Sequence, residues 1–434
     1  MINETIYAPS TAIGGAIAII RVSGSRSKTI SKEIFSKDIT GLPNRLCYVL
    51  LKDGEGIVDA CMGVFLPAPH TYTGEDMLEI HCHGGAMTVQ SVLKCLSRTG
   101  ARPAENGEFT KRAFLNGKMD LSQAEAVMDI INAEAQQSLK AALLQHEGSV
   151  KRQIEAVEGI LLNTLSGIDA AIDYPEEAEA DAYASLGESL DTATDEINRL
   201  LKTGRDNRVL RIGVSLAIVG KPNVGKSSLL NALLGRDRAI VTAAAGTTRD
   251  TIEEKLSIEG IPMRIVDTAG IRACSDEAES IGIERAKQVL DSADLVLLVT
   301  DGSEALDSND SQLMSMTARK NRIIVSNKAD ICKADRDADV YVSAKTGVGM
   351  DELKSLIVGR IAPNTTDCTA ITNERHLRAL ECALVGIEAA KEACQLDCIA
   401  TDIRESLHHL GSITGTDIDE KVLDKIFENF CVGK

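Results

Sequence analysis

Short apolar runs mark the first stretch of the chain. Ala16–Val22 (AIAIIRV) and Gly63–Leu66 read as strands, and Met77–His81 alternates in the strand manner. Gly14-Gly15, Gly54, Gly56, Pro67, Pro69 and Gly84-Gly85 punctuate them, so residues 1–118 are expected to form a compact α+β unit. At Asp120 the period lengthens. Apolar residues at 124, 127, 128, 131, 135 and 139 have the spacing of one helix face. Ser122-Gln-Ala-Glu125 reads as a capping box, Ser122 capping the backbone and Glu125 reaching back. Helical texture continues to Ile172. Pro175 and the acidic run Glu176-Glu177-Ala-Glu179-Ala-Asp181 are expected to break it, with a further helix over about 185–202.

From Ser215 to about Ile361 strand-like and helical runs alternate. Leu216–Val219, Met263–Val266, Leu295–Val299, Ile323–Val325 and Val340–Val342 are the expected strands, and the alternation predicts a doubly wound parallel sheet. From Asn373 to Phe430 the pattern is helical again. The simplest architecture is multidomain α/β: an α+β domain (1–118), a discontinuous helical domain (119–210 with 370–434) and an α/β domain inserted into it (211–369).

Composition narrows the class. At 434 residues two or three domains are expected, and with 44% hydrophobic but only 3% aromatic residues and no Trp the cores must be filled by Leu, Ile, Val and Ala. No apolar run is long enough to span a bilayer, and Met1-Ile2-Asn3-Glu4 lacks the layout of a signal peptide. Eleven scattered cysteines fit reduced thiols in a cytosol. His81-Cys82-His83 has the letters of a metal clip, but successive residues of a strand face opposite ways. The net charge of -17 argues against coating nucleic acid non-specifically. Arg205, Arg208, Arg211 and Arg236-Asp-Arg238 are modest basic clusters that read equally well as solvated faces.

The inserted segment carries the chemistry. Gly220-Lys-Pro-Asn223-Val224-Gly225-Lys226-Ser227 follows an apolar strand and opens a helix at Ser228, the setting a phosphate-binding loop requires. Its glycines let backbone N–H groups and the helix N-terminus face phosphates, Lys226 would reach the β/γ-phosphates, and Ser227 would bind Mg²⁺. Asp267-Thr268-Ala269-Gly270 ends the next core strand, where a carboxylate can hold the Mg²⁺ shell and Gly270 allows close approach to a γ-phosphate. In Asn327-Lys328-Ala329-Asp330 the carboxylate can accept from guanine N1–H and its exocyclic amine. Adenine offers neither donor in that arrangement. Ser343-Ala344-Lys345 would close the base pocket. These motifs, in this order, predict a GTPase. They resemble the translation-factor-like class of P-loop GTPases, except that Ile271 stands where Ras-like enzymes have a water-orienting glutamine.

Gly246-Thr247-Thr248-Arg249-Asp250, Ile172-Asp173-Tyr174-Pro175-Glu176-Glu177 and the ending Phe430-Cys431-Val432-Gly433-Lys434 together resemble the MnmE (TrmE) family of tRNA-modification GTPases. Leu78-Glu79-Ile80 before His83-Gly84-Gly85, and Asn116–Leu121 followed by Gln123-Ala124-Glu125-Ala126, extend the resemblance end to end. The resemblance implies a homodimer whose G domains meet across the nucleotides when K⁺ is bound. Potassium would be held by Asn223 and by the nucleotide-contacting loop of Thr242, Ala243, Ala244, Ala245, Gly246 and Thr247. Its implied ligands are the Asn223 side chain and oxygens of Thr242, Ala244 and Thr247. Ala243–Ala245 offer no side-chain ligand, so only carbonyls serve there; read from the residues alone, this is a small-residue loop. A cation at that point neutralises charge developing between the β- and γ-phosphates. Thr248 would join Ser227 on Mg²⁺. Arg249 and Asp250 look like switch residues, with Arg249 a candidate in catalysis and a surface ion pair an equally economical reading. Glu279 matches the family's catalytic glutamate and would orient water once dimerisation orders its loop.

The same resemblance assigns residues 1–118 to folate binding and dimerisation. Arg21, Glu79, Lys118 and Lys434 match positions used for a tetrahydrofolate derivative, 5-formyl or methylene; each alone also reads as a solvated charge. Cys431 would come near that site if the terminus folds back, where a chemical role stands beside the ordinary reading of a small buried hydrophobe. The family works in the cytoplasm with an FAD-dependent partner, MnmG (GidA), in a heterotetramer or larger complex. It adds a carboxymethylaminomethyl-type group to C5 of the wobble uridine, position 34, of certain tRNAs. The alternative from another class is a switch-type GTPase that binds rRNA in ribosome assembly and modifies nothing.

Overall fold

The computed structural model describes residues 4–54, 56–237, 254–266, 290, 293–331, 337–361 and 371–434. The chain divides into two compact units, Met1–Met128 with Gly411–Lys434, and Asp129–Leu410.

The first unit opens with strands β1 (Ile6–Pro9) and β2 (Ile17–Ser23), helix α1 (Ser27–Ile34), then β3 (Cys47–Asp53), β4 (Gly56–Leu66) and β5 (Met77–His83). Helix α2 (Ala86–Ser97), the short β6 (Arg102–Pro103), α3 (Glu108–Leu115) and α4 (Leu121–Asn132) follow. The sheet order is β3-β4-β5-β2-β1-β6, antiparallel except for the parallel β1–β6 pair. Ile20, Val22, Leu78 and Ile80 face α1 and α2, whose Ile30, Ile34, Val89, Val92 and Leu96 complete the core. The β2–β5 register sets Arg21 opposite Glu79 on the other face.

The cap of α4 lies two residues upstream of the expected one. Asp120 Oδ1 accepts from the Gln123 backbone N–H at 3.0 Å and from the Ser122 hydroxyl at 2.6 Å. The Asp120 N–H donates to Gln123 Oε1 at 3.0 Å, so the reciprocal box is Asp120/Gln123. Ser122 and Glu125 lie inside the helix and are buried. A carboxylate two residues upstream outcompetes the serine for the same orphan N–H groups.

The second unit begins with α5 (Gln136–His146), α6 (Ser149–Asp173) and α7 (Pro175–Ile212). The apolar face expected to run from 124 to 139 is therefore shared by two helices, with Ala135 as the extended N-cap of α5. The expected break falls at Tyr174, where α6 ends and α7 begins, but the acidic run after Pro175 is helical, so the second helix starts at Pro175 and not near 185. Proline at the first helical position loses no needed N–H, and carboxylates in the first turn complement the helix dipole.

The α/β part comprises β7 (Val214–Val219), α8 (Lys226–Asp237), β8 (Glu254–Ile258), β9 (Ile261–Val266), β10 (Leu295–Asp301), α9 (Ser308–Thr317), β11 (Arg322–Asn327), β12 (Val340–Tyr341) and α10 (Met350–Ile361). The sheet order is β12-β11-β10-β7-β9-β8. Its strands are parallel apart from the antiparallel edge strand β8, which the alternation pattern did not announce. Every residue of β10 is buried, as befits a central strand covered on both faces. Helices α11 (Glu374–Glu392) and α12 (Leu396–Thr414) follow, and α13 (Glu420–Glu428) returns to the first unit. There Leu423, Phe427 and Phe430 pack on Leu121 and Ala124 of α4.

Candidate functional site: a guanine-nucleotide cradle

Strand β7 delivers the chain into a loop that accepts no ordinary side chain at two points. A Cβ on Gly220 would lie 2.3 Å from the Val299 carbonyl oxygen. At Gly225, where φ is +94°, it would lie 2.3 Å from Asn327 Nδ2. Asn223 also has positive φ, +65°. The loop is thus pressed against β10 and β11 while its outer edge stays open. Helix α8 then starts at Lys226, leaving Ser227 exposed in its first turn. The Lys226 ammonium donates to the carbonyls of Gly220 (2.8 Å) and Lys221 (2.6 Å), fixing a positive charge beside the helix N-terminus. Backbone N–H groups, a helix start and an ammonium in one concavity suit a polyphosphate, and Ser227 is placed to hold its metal.

Strand β11 brings the second motif to the same place. Asn327 donates through Nδ2 to the Val224 carbonyl (2.9 Å), and its Oδ1 accepts from the Ala344 N–H (3.1 Å), so one buried amide ties all three loops together. Asp330 is exposed, and the Ser343 hydroxyl donates to its Oδ1 at 2.6 Å. That bond holds the Asp330 carboxyl below the usual aspartate range against the opposing effect of desolvation, with help from its own backbone N–H and the Lys345 charge. An ionised carboxylate, already oriented and open on one side, is what recognition of guanine's two donors requires. Lys328 (φ +66°) reaches back to Asp301 Oδ2 at 2.5 Å. Burial works to raise the Asp301 pKa, but its bonds from Lys328 and Ser303 outweigh this and leave it lowered. Sequence reading did not single out Asp301. Its only signal was a carboxylate at the end of the central strand.

A second cluster lies in the first unit. Arg21 Nε pairs with Glu79 at 2.8 Å, and its guanidinium sits 5.5 Å from the Tyr72 ring centre. His81 Nε2 is 3.5 Å from the same carboxylate. The C-terminus folds back onto this sheet: Ser10 donates to the Gly433 carbonyl (3.1 Å), and Gly107 N–H to that of Cys431 (3.4 Å). Gly433, at φ +91°, has no room for a Cβ, which would lie 2.0 Å from the Pro9 oxygen. Lys434 is half-buried; burial pushes its ammonium below the usual lysine range and the Arg21 charge adds to that. Cys431 is exposed, not a buried hydrophobe. Lys118 is exposed and donates to the Pro69 carbonyl at 3.1 Å.

Residues 5–118 match the family described as the GTP-binding protein TrmE N-terminus, and residues 121–431 match the MnmE helical domain. Over 100% of both chains, the sequence is 40% identical to the tRNA modification GTPase MnmE of Natranaerobius thermophilus. It is 41% identical to that of Carboxydothermus hydrogenoformans, again over 100% of both. The chain belongs to the MnmE family of tRNA modification GTPases. It is also similar, over 34% of its length and 98% of the other chain, to the G domain of the T. maritima FeoB iron transporter, at 30% identity and a TM-score of 0.26.

Several residues singled out from the sequence, Thr242, Ala243, Ala244, Ala245, Gly246, Thr247, Thr248, Arg249, Asp267, Thr268, Ala269, Gly270 and Glu279, lie outside the described residues of this MnmE-family chain. The arginines of α7 are taken up by acids: Arg205 by Glu381 (2.6 Å), Arg208 by Glu374 (3.2 Å) and Arg211 by Asp129 (2.8 Å). That row is an ion-paired helix face. In β5, Cys82 is buried while His81 and His83 share the other face, His83 bonding Asp59 at 2.8 Å. Among the described residues no helix is long and apolar enough to cross a membrane.

Proposed function

We propose that this chain hydrolyses GTP in a K⁺-stimulated, dimerisation-dependent way in the cytoplasm. With an FAD-dependent partner of the MnmG kind, that turnover would serve addition of a carboxymethylaminomethyl-type group to C5 of wobble uridine in tRNA. The observation that carries the GTP part is the Asn327 amide, which joins phosphate loop, guanine motif and closing loop in one rigid cradle. In this reading residues 1–118 form the folate-binding and dimerisation domain, 119–210 with 370–434 the helical domain, and 211–369 the G domain.

The roles follow from chemistry. Lys226 and the α8 N-terminus neutralise the phosphates, Ser227 with Thr248 holds Mg²⁺, and Asp330 selects guanine. Asn223, exposed on a left-handed turn of the loop, presents its side chain outward, as a K⁺ ligand must. Thr242, Ala244 and Thr247 would complete that site, and Glu279 would orient the attacking water. GTP turnover should rise several-fold when Na⁺ is replaced by K⁺ at constant ionic strength. Equal rates in a malachite-green phosphate assay would remove the potassium assignment.

Arg21, Glu79 and Lys434 fit a folate, with Lys118 assigned to the same ligand by family resemblance alone. Two cations converge on a half-buried surface where Glu79 is already engaged by Arg21, so a ligand carboxylate would relieve the depressed Lys434 ammonium. When bound, the folate supplies the one-carbon unit. The chain's own part is to bind and orient it: cations on the glutamate tail, Glu79 on the donor edge of the pterin.

A further inference from the structure

Lys221 follows Gly220 in the phosphate loop, and its side chain does not point into solvent. Only 15% exposed, it bridges Asp307 Oδ2 at 2.9 Å and Asp310 Oδ2 at 2.8 Å. These two carboxylates are also the reciprocal capping box of α9. Asp307 Oδ1 accepts from the N–H groups of Asn309 (2.9 Å) and Asp310 (3.0 Å), and Asp310 Oδ2 accepts from the Asp307 N–H (3.2 Å). Both acceptors are therefore fixed before the lysine arrives, so the pairing costs little ordering entropy. Asp310 is only 4% exposed. Removing the lysine would leave a buried carboxylate short of its counter-charge, which separates this contact from an ordinary surface ion pair. The ammonium is held above the usual lysine range, first by the bond to Asp310 and then by that to Asp307.

The main chain completes the connection. The Lys221 carbonyl is one of the two that hold the Lys226 ammonium. The segment carrying Asp307 and Asp310 begins at Asp301, which takes the Lys328 ammonium of the guanine motif, and the Gly302 N–H donates to the Asn327 carbonyl at 2.7 Å. Residues 301–310 are thus pinned to the guanine motif at one end and to the phosphate loop at the other.

We propose that Lys221, Asp307 and Asp310 form a positioning clamp that braces the phosphate loop against the guanine motif and sets how long a guanine nucleotide stays bound. The clamp touches no nucleotide. It acts through the Gly220–Lys226 turn, and the proposal rests on the GTP-site reading above.

The test is release of fluorescent mant-GDP from the full chain with Mg²⁺, chased with unlabelled GDP. Lys221→Met and Asp310→Asn should each speed release about ten-fold, the loss expected for one charge-assisted hydrogen-bonded pair. Lys221→Arg should stay within about two-fold of the parent, and the double variant should release no faster than either single one. Unchanged release in both single variants, equal acceleration in Lys221→Arg, or additive effects would overturn the clamp. A parent chain that takes up no mant-GDP would instead contradict the GTP site, a result distinct from failure of the clamp alone.

Discussion

Asp330→Asn is expected to lower GTP affinity roughly 10²- to 10⁴-fold, because one hydrogen bond is lost, the other goes to a neutral acceptor, and a donor is turned against a donor. The direction follows from the geometry of the side chain. Ser343 already occupies one side of Oδ1, which leaves the remaining acceptor positions open to a base. An amide keeps one acceptor for N1–H but turns a donor towards the exocyclic amine of guanine. Xanthine carries a carbonyl at that position, so the same variant should gain affinity for XTP. Isothermal titration with non-hydrolysable GTP and XTP analogues reads both. Retained GTP preference would mean that Asp330 is a turn residue and that the base is selected elsewhere.

Glu279→Ala should cut kcat for GTP roughly 10²- to 10⁴-fold, the range over which positioned acid–base or water-orienting groups act. Affinity for a non-hydrolysable analogue should stay within a few-fold. The expectation rests on Ile271 occupying the place of a water-orienting glutamine, which leaves that task without another assigned residue. Single-turnover hydrolysis and equilibrium binding separate the two effects. A parallel loss of binding would assign Glu279 a structural role.

The nucleotide cradle was legible because its constraints are local. Gly220 and Gly225 stand where backbone meets backbone or a buried amide, and a strand-loop-helix context announces them without tertiary knowledge. The Asp330–Ser343 bond was half legible: both residues were named, but the hydrogen bond between them depends on how β11 and β12 align. Lys221 was invisible for the same reason, since its partners lie 86 residues or more away. Helix ends were misjudged where two rules competed. Asp120 displaced Ser122 as the cap of α4, and Pro175, which does separate α6 from α7, also opens α7 well before the helix expected from about 185. Strands β1, β3, β6 and β8 passed unnoticed. The Cys47–Asp53 run buries only Val49 and Leu51, and the register shift between Leu51 and Lys52 breaks its alternation.

The terminus is a further case. Phe430–Lys434 shows no period at all, yet Gly433 fits against Pro9 so closely that a Cβ would lie 2.0 Å from its oxygen. The sequence pattern supplied only a family likeness there; contact with the first strands explains why a glycine stands at that point.

The central claim is that GTP turnover here serves chemistry on tRNA. It is tested most directly by mass spectrometry of nucleosides from the tRNAs of cells that lack this protein. The account predicts that wobble uridines lose the carboxymethylaminomethyl-type group at C5, and that the parent gene restores it whereas a Glu279→Ala gene does not. Wobble uridines that keep the modification in the deletion strain would contradict the account and favour a GTPase acting on rRNA without modifying it.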